Sequence, residues 1–443
     1  MAEQKLKRSI GPFTALAMVM GTVIGGGVFF KIASVTAATH SVSLTLLAWV
    51  VAGILTICGG LTVAELGAAI PETGGSVQYM RHTYGPLSGF LLGWSEMLIY
   101  VPANMAALAI IFATQVVILL HLSTSLVVPI AIVVVVTITC LNLLGAKVGG
   151  TVQSLTLIFK LIPVFLIVIV GLFMPGHVDV TFFPVTPTDH SNVITAFSGG
   201  LLATMFAYEG WINVGDIAGE MKNPKRDIPK AVVLGLTFIM IIYVLVNWVF
   251  LKNMPISQIA GNPNTAAEVA GKLFGNLGGK LVTIGILVSV FGTINGYTMT
   301  GARIPYALAK QDLLPFSNLF QRLNRAAAPF VASLFILLIA IIMIFLGSFD
   351  LLTDMLVFVM WIFNCLLFLA VFILRKKEPL LERPYRVLWY PIVPAIAILG
   401  GLFIVVTTLI NQTGLAFAGL GITVIGVPVY YLHRYTTRKK AQQ

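Results

Sequence analysis

Two short stretches decide how this chain folds: Gly21-Thr22-Val23-Ile24-Gly25-Gly26-Gly27-Val28-Phe29 and Phe206-Ala207-Tyr208-Glu209-Gly210-Trp211. Each sits about midway along a hydrophobic run long enough to cross a bilayer, and each contains residues that interrupt a helix. The first packs four glycines into seven residues; the second sets a carboxylate beside a helix-breaking glycine. Backbone groups left unpaired in hydrocarbon are costly, so irregular chain survives at that depth only where it lines a cavity or binds something. Glycine-rich membrane segments also serve as close-packing surfaces, and for Gly21, Gly25, Gly26 and Gly27 alone that reading stands. A second break in a corresponding run favours two unwound segments that face a ligand.

The rest of the chain supplies the membrane setting. Of 443 residues, 58% are hydrophobic and 10% charged, against about 25% charged in soluble domains; mean hydropathy is +0.98. A soluble core cannot absorb that excess. A hydrocarbon layer of ~30 Å needs about 20 helical residues, and 42–64 and 326–349 supply such runs without one charge. The same criterion predicts helical spans at about 11–33, 42–70, 86–118, 124–144, 150–174, 192–216, 229–251, 278–300, 326–348, 351–374, 388–410 and 414–433, twelve in all. The polar, basic N-terminus runs straight into the first of these without a small-residue cleavage site, so it reads as a retained span rather than a signal peptide.

A net charge of +11 reports topology before it reports a partner. With the N-terminus inside, all of the 27 Lys and Arg fall in cytoplasmic segments except Lys31, Lys252, Lys272 and Lys280 outside and Lys160 within a span. That bias predicts both termini in the cytoplasm of a cell-membrane protein, and no nucleic-acid motif accompanies the charge. Because the breaks fall in spans one and six, the chain reads as two five-helix units, 1–180 and 181–378. The odd number of spans inverts the second, and 379–443 adds spans eleven and twelve with the tail. Cys58, Cys140 and Cys365 each lie in apolar runs, so neither a disulfide framework nor a metal cluster is expected. The six histidines fall in loops or at span ends with no paired nucleophile, which argues against an enzyme; no metal or organic cofactor is expected.

Chemistry concentrates at the breaks. Free N–H groups at the start of a half-helix, with its dipole, attract a carboxylate, and Ile24, Gly25, Gly26 and Gly27 suit that task. Carbonyls freed near Phe206, Ala207 and Glu209 accept bonds from an ammonium group, so a zwitterion fits between. Lys160 lies roughly 15 Å deep, where insertion of a lysine costs at least ~2.5 kcal/mol; a polar contact, structural or functional, is expected of it. Glu209 either faces an aqueous vestibule or contacts substrate or coupling machinery. Glu65 and Glu96 read as helix caps or partners of basic loops. Phe206, Tyr208 and Trp211 form an aromatic lid or pack. Tyr243 and Asn247 lie one turn apart and can face one cavity, and Ser289 and Asn295 are candidate hydroxyl and amide contacts.

At these residues the sequence resembles the amino acid-polyamine-organocation superfamily, and within it the L-amino acid transporter family with its bacterial serine/threonine and alanine-serine-cysteine exchangers. The resemblance spans nearly the whole chain. It rests on 21–29, Ala64-Glu65-Leu66, Pro71-Glu72-Thr73-Gly74-Gly75, 206–211, Gly219-Glu220-Met221-Lys222-Asn223-Pro224 and Arg383-Pro384-Tyr385, in that order. It implies an all-α, leucine-transporter-like fold with a 5+5 inverted repeat and discontinuous helices one and six. It further implies sodium-independent exchange of small neutral L-amino acids such as alanine, serine, threonine and cysteine by alternating access. In that scheme Ile24, Gly25, Gly26 and Gly27 hold the carboxylate, while Phe206, Ala207 and Glu209 hold the amino group. Lys160 links Gly21 to Ser289 in place of a sodium ion, Phe206 gates, and Tyr243 approaches the substrate. Many relatives carry a small residue or Asp where this chain has Glu209. Animal relatives tether a heavy subunit through a cysteine that the stretch 119–125 lacks, so no such partner is expected. The rivals are a permease for cationic amino acids or polyamines that uses Glu209 as counter-charge, and an amino acid sensor that does not transport.

Overall fold

The computed structural model describes residues 16, 20, 23–70, 74–178, 180, 182–183, 185–214 and 223–441. Among them the chain is helical, with no strand beyond an isolated bridge between Leu323 and Pro329. The principal helices are α1 (Gly27–Thr39), α2 (Val42–Ala69), α3 (Gly75–Tyr84), α4 (Pro86–Leu119), α5 (Val127–Leu143), α6 (Ala146–Phe173) and α7 (Val193–Ala207). They are followed by α8 (Pro224–Asn253), α9 (Thr265–Gly301), α10 (Arg303–Lys310), α11 (Phe330–Leu346), α12 (Phe349–Lys377), α13 (Ile392–Asn411) and α14 (Thr413–Ala441). Eight of the described helices are long and apolar enough to cross a bilayer, and shorter apolar helices accompany them.

Helix ends follow local chemistry. Asn192 accepts the Ile194 N–H at 2.8 Å to start α7, Ser41 and Ser348 cap α2 and α12, and Pro86 opens α4, where its missing N–H costs nothing. In the loop before α7, the Ser191 backbone N–H donates to Asp189 and holds its carboxyl below the usual carboxylate range. Two irregularities interrupt otherwise regular runs. Glu96–Tyr100 forms a π-helical turn within α4, and Gly275 breaks helical geometry within α9, so that the predicted eighth span, 278–300, begins just past the kink.

The surface is the inverse of a soluble protein. Phe173, Leu277, Leu346 and Ile410 stand exposed on helix exteriors while Lys31, Glu65, Lys160, Glu209 and Asn295 are buried. Apolar outside and polar inside is the arrangement hydrocarbon demands, since lipid replaces water as the outer solvent. The most extensive helix pairings are α6 with α9, α2 with α8 and α1 with α7. The last brings the glycine-rich break at 21–29 against the break at 206–211.

Candidate functional site

The first break is present: Val23 is helical, Ile24 to Gly26 are not, and α1 begins at Gly27. The second follows α7, where the chain makes a turn through Tyr208 and Glu209 and passes Gly210 at φ 102°, a left-handed conformation that suits glycine, before a short 3-10 turn at Trp211–Val214. The two meet backbone to backbone. A Cβ on Gly27 would lie 2.7 Å from the Ala207 Cα, so no residue larger than glycine fits there without separating the breaks.

Between them is a small cavity lined by Val23, Gly25, Gly26, Gly27, Asn104, Leu108, Phe206, Ala207, Glu209, Thr293 and Tyr297. One wall is the start of α1, whose leading N–H groups have no partner within the helix and carry the positive end of its dipole. The opposite wall is the end of α7 with Phe206, Ala207 and Glu209. Glu209 is 6% exposed, and its Oε1 has no hydrogen-bond partner among the described residues.

Of the residues singled out from sequence, Gly25, Gly26, Gly27, Phe206, Ala207 and Glu209 are brought together at this cavity. Ile24 is buried at the break, and its N–H closes the preceding helix on the Met20 carbonyl at 2.9 Å. Tyr243 lies behind the lining: its hydroxyl donates to the Val23 carbonyl at 3.1 Å, bracing the unwound segment. Tyr208 donates to the Trp49 carbonyl at 2.9 Å, and Trp49, Tyr208 and Tyr243 form a buried aromatic cluster with centroids 5.2 to 6.1 Å apart. Trp211 stacks on Phe368 instead of facing the cavity. Lys160 is 3% exposed on α6, and Ser289, fully buried on α9, has no hydrogen-bond partner for its Oγ among the described residues. Gly21 lies outside the described residues, as do 71–73 and 215–222.

Asn247 donates to the Tyr243 carbonyl one turn earlier in its own helix, whereas Asn295 bonds Asn142, Gln153 and the Gly149 carbonyl and so knits α9 to α5 and α6; neither amide lines the cavity. Glu65 is a buried partner of basic residues. Arg375 donates to both its oxygens at 2.8 and 2.6 Å, the Val387 N–H donates at 2.6 Å, and Arg383 lies 3.6 Å away.

Sequence reading missed three polar lining side chains and one ion cluster. Thr293 and Tyr297 follow Ser289 at helical spacing on one face of α9, a pattern that points to them. Asn104 is an amide inside an apolar run, which is itself a signal. Lys31, counted among the outer basic residues, is fully buried one turn beyond Gly27. It donates to Asp350 at 2.9 Å and Asp354 at 3.1 Å, with its Nζ 5.7 Å from the Phe206 ring and 5.0 Å from that of Phe349.

Comparison with known proteins agrees with this architecture. The profile of the amino acid permease family matches residues 10–432. The serine/threonine exchanger SteT of Bacillus subtilis (strain 168) is 38% identical over 428 residues, covering 96% of this chain and 97% of its own. The cystine/glutamate transporter of Homo sapiens is 28% identical, covering 97% and 85%. Large neutral amino acids transporter small subunit 2 of Mus musculus is 29% identical, covering 98% and 82%. These relatives are named as transporters and exchangers, not enzymes. With its break-lined cavity inside an apolar helical bundle, this chain belongs to the amino acid permease family of the amino acid-polyamine-organocation superfamily and is a multi-pass membrane protein.

Proposed function

We propose that the protein is a sodium-independent exchanger of small neutral L-amino acids, including serine and threonine, that works by alternating access on a twelve-span inverted-repeat bundle. The observation that carries this reading is the meeting of two helix breaks at one small cavity, with Gly27 against Ala207. The carboxylate of the substrate rests on the N–H groups of Gly25, Gly26 and Gly27, and its ammonium group on carbonyls at Phe206 and Ala207 with Glu209 beside them. Phe206 closes the cavity towards Lys31. Tyr243 and Tyr208 hold the breaks in shape from behind. Lys160 fills the place of a sodium ion, bridging Gly21 and Ser289; its burial on α6 supports a polar role of this kind. Both termini and the Glu65 cluster lie on the cytoplasmic side of a cell membrane, and the Lys31 cluster on the outer side. The name of the Bacillus relative supports serine and threonine as substrates.

Purified protein in liposomes preloaded with unlabelled serine should take up labelled serine without a sodium gradient, and empty liposomes should take up far less. Strict dependence on sodium would remove the role given to Lys160. The Glu209 carboxyl, whose Oε1 has no partner among the described residues, favours a second reading, a cationic amino acid or polyamine permease; uptake of arginine with no uptake of serine or alanine would establish it instead.

A further inference from the structure

The part of the cavity beyond the two breaks is lined from α4 and α9 by Asn104, Leu108, Thr293 and Tyr297; the Tyr297 hydroxyl can donate, whereas the polar atoms left over on Asn104 and Thr293 are acceptors. Asn104 is fully buried. Its Nδ2 donates to the Tyr100 carbonyl at 2.8 Å, a bond that only the nitrogen end of the amide can make, so the atom left over is Oδ1, which has no partner among the described residues. This carbonyl belongs to the last residue of the π-helical turn Glu96–Tyr100, and such turns recur at functional sites. Across the cavity, the Thr293 hydroxyl hydrogen is used on the Ser289 carbonyl at 2.9 Å, which leaves only its lone pairs. Glu209 adds another unpartnered acceptor, Oε1. Two buried acceptors without partners, and a third group whose donor is spent, all face one small space.

We infer that this wall is a hydroxyl-reading subsite, in which the side-chain O–H of serine or threonine donates to Asn104 Oδ1, with Thr293 opposite. This rests on the proposed reading of the cavity as an amino acid site and narrows it. A methyl side chain leaves the acceptors unsatisfied, and a polar group buried without a partner is penalised. The site therefore discriminates alanine from serine although the two differ by one atom. Sites built to bond a hydroxyl reject analogues without one far more strongly than apolar pockets reject an extra methylene.

The test is competition against labelled serine exchange by the full chain in proteoliposomes, using serine, threonine, alanine, O-methylserine and 2,3-diaminopropionate. Serine and threonine should half-inhibit at concentrations lower by about tenfold or more than alanine and O-methylserine. O-methylserine keeps the oxygen and loses the donor, and threonine controls for its added bulk. In Asn104→Leu the serine-to-alanine ratio should fall to within about twofold; Thr293→Val, isosteric and less disruptive, should lower it in the same direction. Equal competition by alanine and serine, or an unchanged ratio in both variants, overturns the inference while the exchanger reading stands. Stronger competition by diaminopropionate than by serine overturns it in favour of an amine-reading site. Failure of every amino acid to drive exchange removes the exchanger reading and this subsite with it.

Discussion

At Gly27 the sequence has no freedom, because the obstacle is the Ala207 backbone and not a side chain that could swing away. Gly27→Ala should cost about 1–3 kcal/mol by overpacking and reduce serine exchange to near background, checked by thermal unfolding in detergent and liposome uptake. Full exchange in that variant would mean that the breaks need not touch. Tyr243 acts at one remove. Tyr243→Phe leaves the Val23 carbonyl without its partner, a loss of about 1–3 kcal/mol, and should slow exchange while keeping the rank order of competing amino acids. A changed rank order would move Tyr243 into contact with substrate. The glycines were legible in the sequence because glycine at mid-membrane depth reports on backbone directly. Asn104 and Lys31 were not. What an amide or a lysine does depends on the groups folding brings to it, and the carboxylates that hold Lys31 are more than 300 residues away in the chain.

At the level of elements, α1 hangs between two attachments: its start leans on α7, and one turn later Lys31 ties it to α12. Hydropathy located the helices well, since apolar runs bounded by Gly, Pro and charge are what it reads; helices occupy each of the predicted ranges among the described residues. It could not register the π-helical turn at Glu96–Tyr100 or the kink at Gly275, which change hydrogen bonding without changing composition. The Lys31 tie has a direct test. Removing one partner of a buried ion pair costs about 3–5 kcal/mol, here reduced because Asp350 is half exposed. Lys31→Gln should speed amide hydrogen exchange across 27–39 and leave α8 at its original rate. Unchanged protection of 27–39 would show that α7 alone holds this half-helix.

Across the whole molecule, the cavity lies between two buried charge clusters, Lys31 with Asp350 and Asp354 towards one face, Glu65 with Arg375 and Arg383 towards the other. Both use α12, the first near its start and the second near its end. Both are formed at once here, with the cavity small between them. If access alternates, each cluster must open in turn, so weakening one should expose the cavity from that side only. Leu108→Cys, placed in the lining of a chain whose Cys58, Cys140 and Cys365 are replaced by Ala, reports this through a membrane-impermeant thiol reagent applied to sealed vesicles of either orientation. Lys31→Gln should raise labelling several-fold from the face near Asp350, and Glu65→Gln from the face near Arg383. Population shifts set by two opposing ties add in free energy, so the double variant should label from both faces with less bias than either single change. If both single variants raise labelling from the same face, the clusters do not act as opposed closures, and the bundle opens by some other division of its helices.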